Sequence, residues 1–565
     1  MNVSSLRTAL MIALAGIALP WLPAQQPDEA QPSQPQPAAQ GTASQPTEQA
    51  APAAPTSSAA PASPSSPAQA PNAPIPVKNP DGTYTIRMTT RLVVLDMVVL
   101  DAKGAVVKDL KRDDFHVEEA GQPQTILNFE ETGTHTPAPE MVIDSTADLD
   151  RLAPRAPVDI VLLDEFNTRF EDMAFARYSL KKYLEKQPAK LITPTMLIAV
   201  SLQNFTVLHD YTQSKDEIIS ALDHHFAVSP WQVSQGAWVN ERYSTAFITL
   251  RRVAEAAIGH PGHKNMIWIG RGFPPSRRAQ AGWSIDAENR LFNAVQDCVN
   301  MLRDARVTLY TIDPAGVLVD PGLYGGDPGV DPFGGNYEFS KLAKATGGRT
   351  LYGRNDVDME IQTAIQDGAN FYTLTYRPAN TSMDPQKFRK IKVTVDRPGL
   401  KVVTREGYYQ QMGPGRVNPV NPSRRLVVDL VSADTSNMVY DGVSITPKQS
   451  ATDPDSFIVN VDGRGVVWSY ATDTEPRRTE VILVVSTFDK KGKELKRDAN
   501  VLKFAAPSSA PPNGRYLHDL NIPCKIVHNP KAVRARFSLR VSATGRIGTA
   551  DLPLGQEAGK GTPAQ

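Results

Sequence analysis

The order of apolar and polar positions changes character several times along the chain. Thr8 to Leu22 is an apolar run, and Gln25 to about Pro76 is almost wholly Pro, Ala, Gln and Ser. Thr83 to Asp101 alternates and then runs apolar (Tyr84, Ile86, Leu92 to Leu95, Met97 to Leu100), which predicts two strands or one long one, closed by the turn Asp101-Ala102-Lys103-Gly104. Asp113 to Gln124 predicts a strand, a Gly-containing turn and a second strand. His116 falls on such a strand and is read as part of a solvated face.

From about Pro157 to Gly368 strand and helix patterns alternate. Asp159 to Leu163 is a buried strand, and Met173, Arg177, Leu180 and Leu184 form a stripe of helical period. Met196 to Ser201 and Phe205 to Leu208 flank Gln203-Asn204 as a hairpin, followed by a helix from Lys215 to Asp223. Phe247, Leu250, Ala254 and Ala257 mark the next helix, which stops at Gly259, and Asn265 to Ile269 is the next strand. A helix over 287–305, a strand from Val307 to Ile312, a helix from Tyr337 to Thr346, a short strand from Arg349 to Tyr352 and a helix from Val357 to Asp367 complete the series. Such alternation predicts a mainly parallel sheet covered on both faces, with the hairpin at one edge.

Phe371 to Tyr376, Lys390 to Val395 and Lys401 to Thr404 return to strand character and are expected to pair with residues 83–131, making the α/β part an insertion in one β-sandwich. Each piece alone has few strands. Beyond a Pro-rich break, the expected strands are Leu426 to Val431, Gly442 to Ile445, Ser456 to Val461, Thr479 to Phe488, Tyr516 to Val527 and Val533 to Val541, spaced as in an immunoglobulin-like sandwich. The resulting divisions are a signal peptide (1–24), a disordered Pro/Ala/Gln/Ser-rich stalk (25–77), an N-terminal β module (78–150), an α/β domain (151–368), a β segment pairing with the module (369–412), a linker (413–425), a C-terminal β-sandwich-like domain (426–556) and a flexible tail (557–565).

Composition narrows the function classes. At 565 residues there is room for three or four domains at ~150 residues each. Lys plus Arg equals Asp plus Glu at 60 each, so no global field draws the chain to nucleic acid. Arg7 and the short apolar run after it form a secretory signal, implying export to the periplasm, the cell envelope or the medium, with no stable transmembrane helix after cleavage. Leu22-Pro23-Ala24 is a fair match to a cleavage site, which leaves an uncleaved anchor as the alternative. The stalk cannot bury enough apolar surface to fold and is expected to be extended. Of the two cysteines, Cys298 shares an apolar helix face with Leu291, Val295 and Leu302 and is read as a buried hydrophobe, a Cys298–Cys524 bridge being the alternative.

The residues as a set resemble the von Willebrand factor type A fold, in the form of VWFA-related domain proteins of the Acidobacteria type. The carriers span Thr83 to Tyr409: Asp113-Asp114-Phe115 with Gly121 and Gln124, the strand ending Leu163-Asp164-Glu165-Phe166-Asn167-Thr168, Lys264 to Ile269 with Gly272-Phe273-Pro274, Tyr310 to Pro314, Tyr372 to Tyr376, Phe388 to Val393, Arg397-Pro398-Gly399 and Arg405 to Tyr408. The resemblance implies ligand binding at the carboxyl end of the sheet. In metal-dependent relatives a Mg²⁺ ion sits there in D-x-S-x-S, a Thr and an Asp, oxygen donors suited to a hard cation. Here Asp164 matches the first Asp, Phe166 replaces the first Ser, Thr168 matches the second, and Thr245, ahead of the Phe247 helix, stands for the loop Thr. The second acid is missing, because the chain reads Gly270-Arg271-Gly272.

No metal or other cofactor is therefore expected; were Mg²⁺ held, its ligands would be Asp164, Thr168 and Thr245. Arg271 is expected either to neutralise Asp164 in place of the ion or to point into solvent while Asp164 caps a turn. Glu165, Glu171 and Asp172 could rebuild an acidic site, although acids in a first helical turn are ordinary. Asp313 and the loop Asp320 to Asp331 form a candidate rim. There is no G-x-S-x-G, H-E-x-x-H or phosphate loop, and His224-His225 and His260 to His263 are read as surface imidazoles, so no catalytic residue is assigned. The expectation is an exported, non-enzymatic protein that binds a protein partner through Asp164, Thr168, Thr245, Arg271 and Asp313. The alternatives are a secreted hydrolase or carbohydrate-active protein with its site between Asp164 and Asp313, a metal-dependent adhesin, and a structural spacer.

Overall fold

The computed structural model describes residues 77–78, 84–85, 92–226, 239–271, 285–316, 339–378, 388–409, 422–469, 476–507, 516–527 and 529–554. The expected signal peptide, nearly all of the stalk, Gly272-Phe273-Pro274, the loop Asp320 to Asp331 and the tail lie outside the described residues. β1 (Val77–Lys78) and β2 (Tyr84–Thr85) pair antiparallel in a unit of their own. The chain from Thr90 onward belongs to a second compact unit, a mixed α/β structure with one mostly parallel sheet and several antiparallel ones.

That unit starts with β3 (Val93–Leu100), β4 (Phe115–Glu119), β5 (Gln122–Gln124) and β6 (Ile126–Glu130). Then come α1 (Thr146–Leu152), β7 (Val158–Asp164), α2 (Phe170–Glu185), β8 (Lys190–Val200), β9 (Phe205–Ser214), α3 (Lys215–His224), α4 (Val239–Ala256), β10 (Lys264–Ile269), α5 (Ile285–Asp304), β11 (Val307–Ile312), α6 (Phe339–Thr346), β12 (Thr350–Leu351) and α7 (Val357–Ala369). Their strands form one six-stranded sheet in the order β12-β11-β10-β7-β8-β9, parallel except for the edge hairpin β8/β9.

β7 shows why the sheet is buried on both faces. Ile160 and Leu162 join the core with α4 and α5, while Val161 and Leu163 join the core with α2, α3 and α7. Each such side chain contributes ~1.5–3 kcal/mol. The chain leaves β7 toward β8 and returns on its other side at β10, so the crevice of this open sheet lies at the carboxyl ends of β7 and β10.

After α7 the chain re-enters the N-terminal module as β13 (Tyr372–Tyr376), β14 (Phe388–Val395), β15 (Lys401–Thr404) and β16 (Gly407–Tyr409). β13 runs antiparallel between β3 and β6, β15 pairs with β3, and β14 pairs with β4. Two four-stranded sheets, β15-β3-β13-β6 and β16-β14-β4-β5, result, with Leu95, Phe115, Val117, Tyr372 and Tyr376 in one shared core.

The C-terminal part departs from expectation at its start. Leu426 to Val431, expected as a strand inside a domain that follows a linker, lies in α8 (Pro422–Thr435). Asp429, Leu430, Ala433 and Asp434 are buried, a helical spacing, and a short apolar run does not distinguish the two states. β17 (Ile445–Gln449), β18 (Ser456–Val461), β19 (Arg478–Phe488), β20 (Glu494–Ala505), β21 (Leu520–Lys525), β22 (Arg534–Val541) and β23 (Ile547–Pro553) form sheets β17-β18-β21 and β20-β19-β22-β23. β20 and β23, which no apolar pattern predicted, are the two edges of the larger sheet.

α8 also packs against both the α/β part and the C-terminal sheets, while most of the expected linker 413–425 lies outside the described residues. Leu430 covers Ile482 and Val484 on the outer face of the larger sheet, and Ala433, Met438, Tyr440 and Ile547 join the α/β core. Arg251 of α4 binds Asp429 at 2.6 Å. Asn437 caps the edge strand β9, accepting from Val207 N at 3.0 Å and donating to Val207 O at 2.9 Å.

The three parts meet at the amino end of the parallel sheet. His260 and His263, expected at the surface, are each 3% exposed there. His260 Nε2 lies 2.7 Å from Ala156 O, and burial holds its pKa down at about 4. His263 Nδ1 and the Arg306 guanidinium converge on Asp96 of β3; burial opposes that charge, but the two partners hold its carboxyl well below the usual range. Lys264, 1% exposed, donates to His260 O and Gly262 O, while Asp441 accepts from Gly259 N at 2.8 Å.

Candidate functional site

Asp164 ends β7 fully buried. Its Oδ1 accepts from Asn167 N at 2.9 Å, which ties the following turn, and its Oδ2 accepts from Trp268 Nε1 of β10 at 3.0 Å. Phe166, at the place of the first Ser, sits edge-on to Trp268 at 6.1 Å between ring centroids, inside the core. Gly270, at the place of the missing acid, has φ +139°, and a Cβ there would lie 2.4 Å from Thr168 Oγ1 and 2.5 Å from Asp164 Cβ. The backbone of β10 closes onto Asp164 and leaves no room for a side chain.

A guanidinium coupled to the charge of Asp164 is that of Arg242. This side chain, buried on α4, has its pKa lowered by burial and raised by that charge. Arg271 is turned to the next strand end, with Nε 3.5 Å from Asp313 Oδ1. Asp313 also accepts from Ala315 N at 3.1 Å, which closes the turn after β11. Arg271 is therefore paired with Asp313 rather than lying free in solvent. Thr245 lies within α4 rather than in a loop ahead of it, because that helix starts six residues earlier, at Val239.

Of the acids considered as replacements, Glu171 is exposed and Glu165 turns away to His225, whose Nε2 lies 2.6 Å from Glu165 Oε1 with the ring largely covered. His225 is thus not a surface imidazole, since Arg177 of α2 binds its carbonyl and that of Leu222. Asp172, in the first turn of α2, has its pKa raised by burial, lowered by Arg271 and raised by Asp313. Glu360, in the first turn of α7, is 3% exposed. Burial pushes its carboxyl up to about 8, with Arg354 opposing and Asp356 and Asp313 adding to the rise.

Asp313 thus links Arg271, Asp172 and Glu360 at the strand ends, while the charge of Asp164 acts on Arg242. Among the described residues, Asn167 Nδ2, Thr168 Oγ1, Arg271 Nη2 and both Glu360 carboxyl oxygens are buried without a hydrogen-bond partner. Folded proteins leave few such atoms, and each costs ~1–3 kcal/mol. Exposed Phe170 (58%), Phe226 (81%), Tyr352 (42%) and Met359 (43%) lie close to these elements in sequence. Phe170 opens α2, Phe226 follows α3, Tyr352 follows β12 and Met359 precedes Glu360.

The donor set does not fit a hard cation of the Mg²⁺ kind. Asp164 spends both oxygens on N–H donors, Phe166 and Gly270 supply no side-chain oxygen, and two guanidinium groups occupy the neighbourhood. Among the described residues no three His, Cys, Asp or Glu side chains close into a metal cage. Cys298 and Cys524 are both free thiols, and no described helix is long and apolar enough to cross a membrane.

Sequence reasoning did not single out Arg242, Trp268 or Glu360. Arg242 and Glu360 are charged residues within helices, ordinary in sequence, and Trp268 sits in a strand as a core residue would. No family model matches the sequence, and no curated protein does. Among solved structures the chain is similar to the crystal structure of the SpRpn10 VWA domain, at 13% identity over 31% of this chain and 97% of that chain, with a TM-score of 0.16.

Proposed function

We propose that this is an exported, non-enzymatic binding protein of the von Willebrand factor type A kind, which docks a protein partner on the carboxyl end of its parallel sheet without a bridging metal ion. The observation that carries the reading is the set of buried polar atoms at the strand ends that lack partners among the described residues, with four exposed large apolar side chains near them in sequence. Exposed apolar groups around a polar centre are the makings of a protein interface, in which the rim excludes water from the central contacts. The resemblance of the strand ends and the crevice at the β7/β10 switch point favour the same face. Asp164 and Asp313, the carboxylates of the hydrolase alternative, are each committed to fixed donors and a neighbouring guanidinium, which favours binding over acid–base chemistry.

Capture from cell-envelope extracts tests the reading, with the full chain as bait in Mg²⁺ and in EDTA. A partner retained equally in both, and lost on Phe226→Asp with Met359→Asp, is the expected result. Retention that needs Mg²⁺ and fails in Asp164→Ala would return the chain to metal-bridged adhesion.

A further inference from the structure

Three carboxylates and one guanidinium share the crevice between α2, α7 and the ends of β10 and β11. Asp313 is held by Arg271 at 3.5 Å and by Ala315 N, but Arg271 has a single positive charge and its Nη2 makes no hydrogen bond. Asp172 lies within the field of both. Glu360 is the unusual member. It is 3% exposed, it lies in the field of Asp313, and neither carboxyl oxygen has a hydrogen-bond partner among the described residues. Among the described residues, Arg354, whose charge acts on it, is engaged with Asp356 in an exposed pair, and Lys182 and Lys186 are engaged with Asp358 on the same helix. Buried carboxyls are ordinarily paired, so among the described residues the site is short of positive charge and of hydrogen-bond donors.

Charge and shape decide which donor would fit. Asp172, Asp313 and Glu360 do not close into a metal cage. A planar guanidinium or an ammonium on a long apolar stem spans such separated acceptors, and its stem can lie against an apolar rim. We propose that the crevice receives a basic side chain, Arg or Lys, of a protein partner, with Glu360, Asp172 and Asp313 as its acceptors and Phe170, Phe226, Tyr352 and Met359 around its stem. This rests on the docking role proposed for the face, and it reverses the sign of a metal-bridged site, where the partner brings a carboxylate. The entering cation supplies the charge that burial and Asp313 deny to Glu360, so its binding favours the ionised form of that carboxyl.

Selection of a phage-displayed random dodecapeptide library on the immobilised full chain tests this, with counter-selection on the Phe226→Asp, Met359→Asp variant. The expected peptides carry Arg or Lys among apolar residues. Replacing that one residue by Glu, or introducing Glu360→Gln into the protein, weakens binding about tenfold, as expected for one charge contact at a partly buried interface. Asp358→Asn, on the same helix turn but paired to Lys182 and Lys186, leaves the affinity within about twofold. Rim-dependent peptides that carry Asp or Glu instead, or that bind Glu360→Gln undiminished, overturn the charge assignment and leave the docking face standing. Selection that yields no peptide sensitive to the rim substitutions overturns both.

Discussion

Glu360 shows how one residue can carry a cost that no local pattern announces. Its carboxyl is buried with no partner among the described residues, and its pKa rises to about 8 from an ordinary value near 4.5. A raised carboxyl keeps its proton in the folded state while the unfolded chain has lost it. Stability from this group is therefore fully present below about pH 4.5 and is lost as pH rises through about 8. Glu360→Gln removes the ionisation. Urea unfolding at pH 5 and pH 8.5 is expected to show the variant gaining on the wild type between the two, by on the order of a few kcal/mol. An equal difference at both pH values would mean that Glu360 finds compensation in the folded state. Asp164 is the contrasting case, a buried carboxylate met by two N–H donors and the field of Arg242.

At the scale of elements, α8 and the sheet it covers explain each other. β19 is an almost continuous apolar run because both its faces are buried, Val481, Leu483 and Val485 against the sandwich core and Ile482 and Val484 against Leu430 of α8. The helix is then fixed by Asp434, 1% exposed, which accepts from Ser486 Oγ at 2.6 Å, Arg497 Nε at 2.9 Å and Ser538 Oγ at 3.3 Å. Three strands thereby contribute donors to one helical carboxylate. Asp434→Ala leaves those donors without their acceptor and is expected to cost about 3–5 kcal/mol in chemical denaturation. Lys496→Ala, whose side chain pairs at the surface with Asp498, is expected to stay within ~0.5 kcal/mol. Similar values for the two would remove Asp434 as the anchor of α8.

On the scale of the whole molecule, the α/β part is threaded through a sandwich whose strands come from both sides of it. A chain truncated to begin at Pro157 keeps β13 to β16 but loses β3 to β6, the pairing partners of β13, β14 and β15. It also loses Asp96, on which His263 and Arg306 converge. The truncated chain is expected to unfold in a broadened transition at lower denaturant and to bind an apolar dye, because Tyr372, Leu374 and Tyr376 lose their cover. Unfolding as sharp and as late as that of the full chain would make the sandwich dispensable. The shared core of α4, α8 and β23 extends the same interdependence to the C-terminal sheets.

Periodicity and turn chemistry by themselves determined the parallel order of strand and helix, the edge hairpin at β8/β9 and most strands of both sandwiches. Those features arise from local patterns of burial, which the sequence carries residue by residue. Tertiary structure alone decided the rest. Leu426 to Val431 became helix because a face of the C-terminal sheet had to be covered. β20 and β23 escaped notice because edge strands carry the polar residues of a surface. Asp164, Thr168 and Asp313 were visible as strand-end residues, but their partners were not. Arg242, on a helix about eighty positions later in the chain, feels the charge of Asp164, and Arg271 turns to Asp313. Charge pairing depends on distances in space, and no spacing along the chain encodes them.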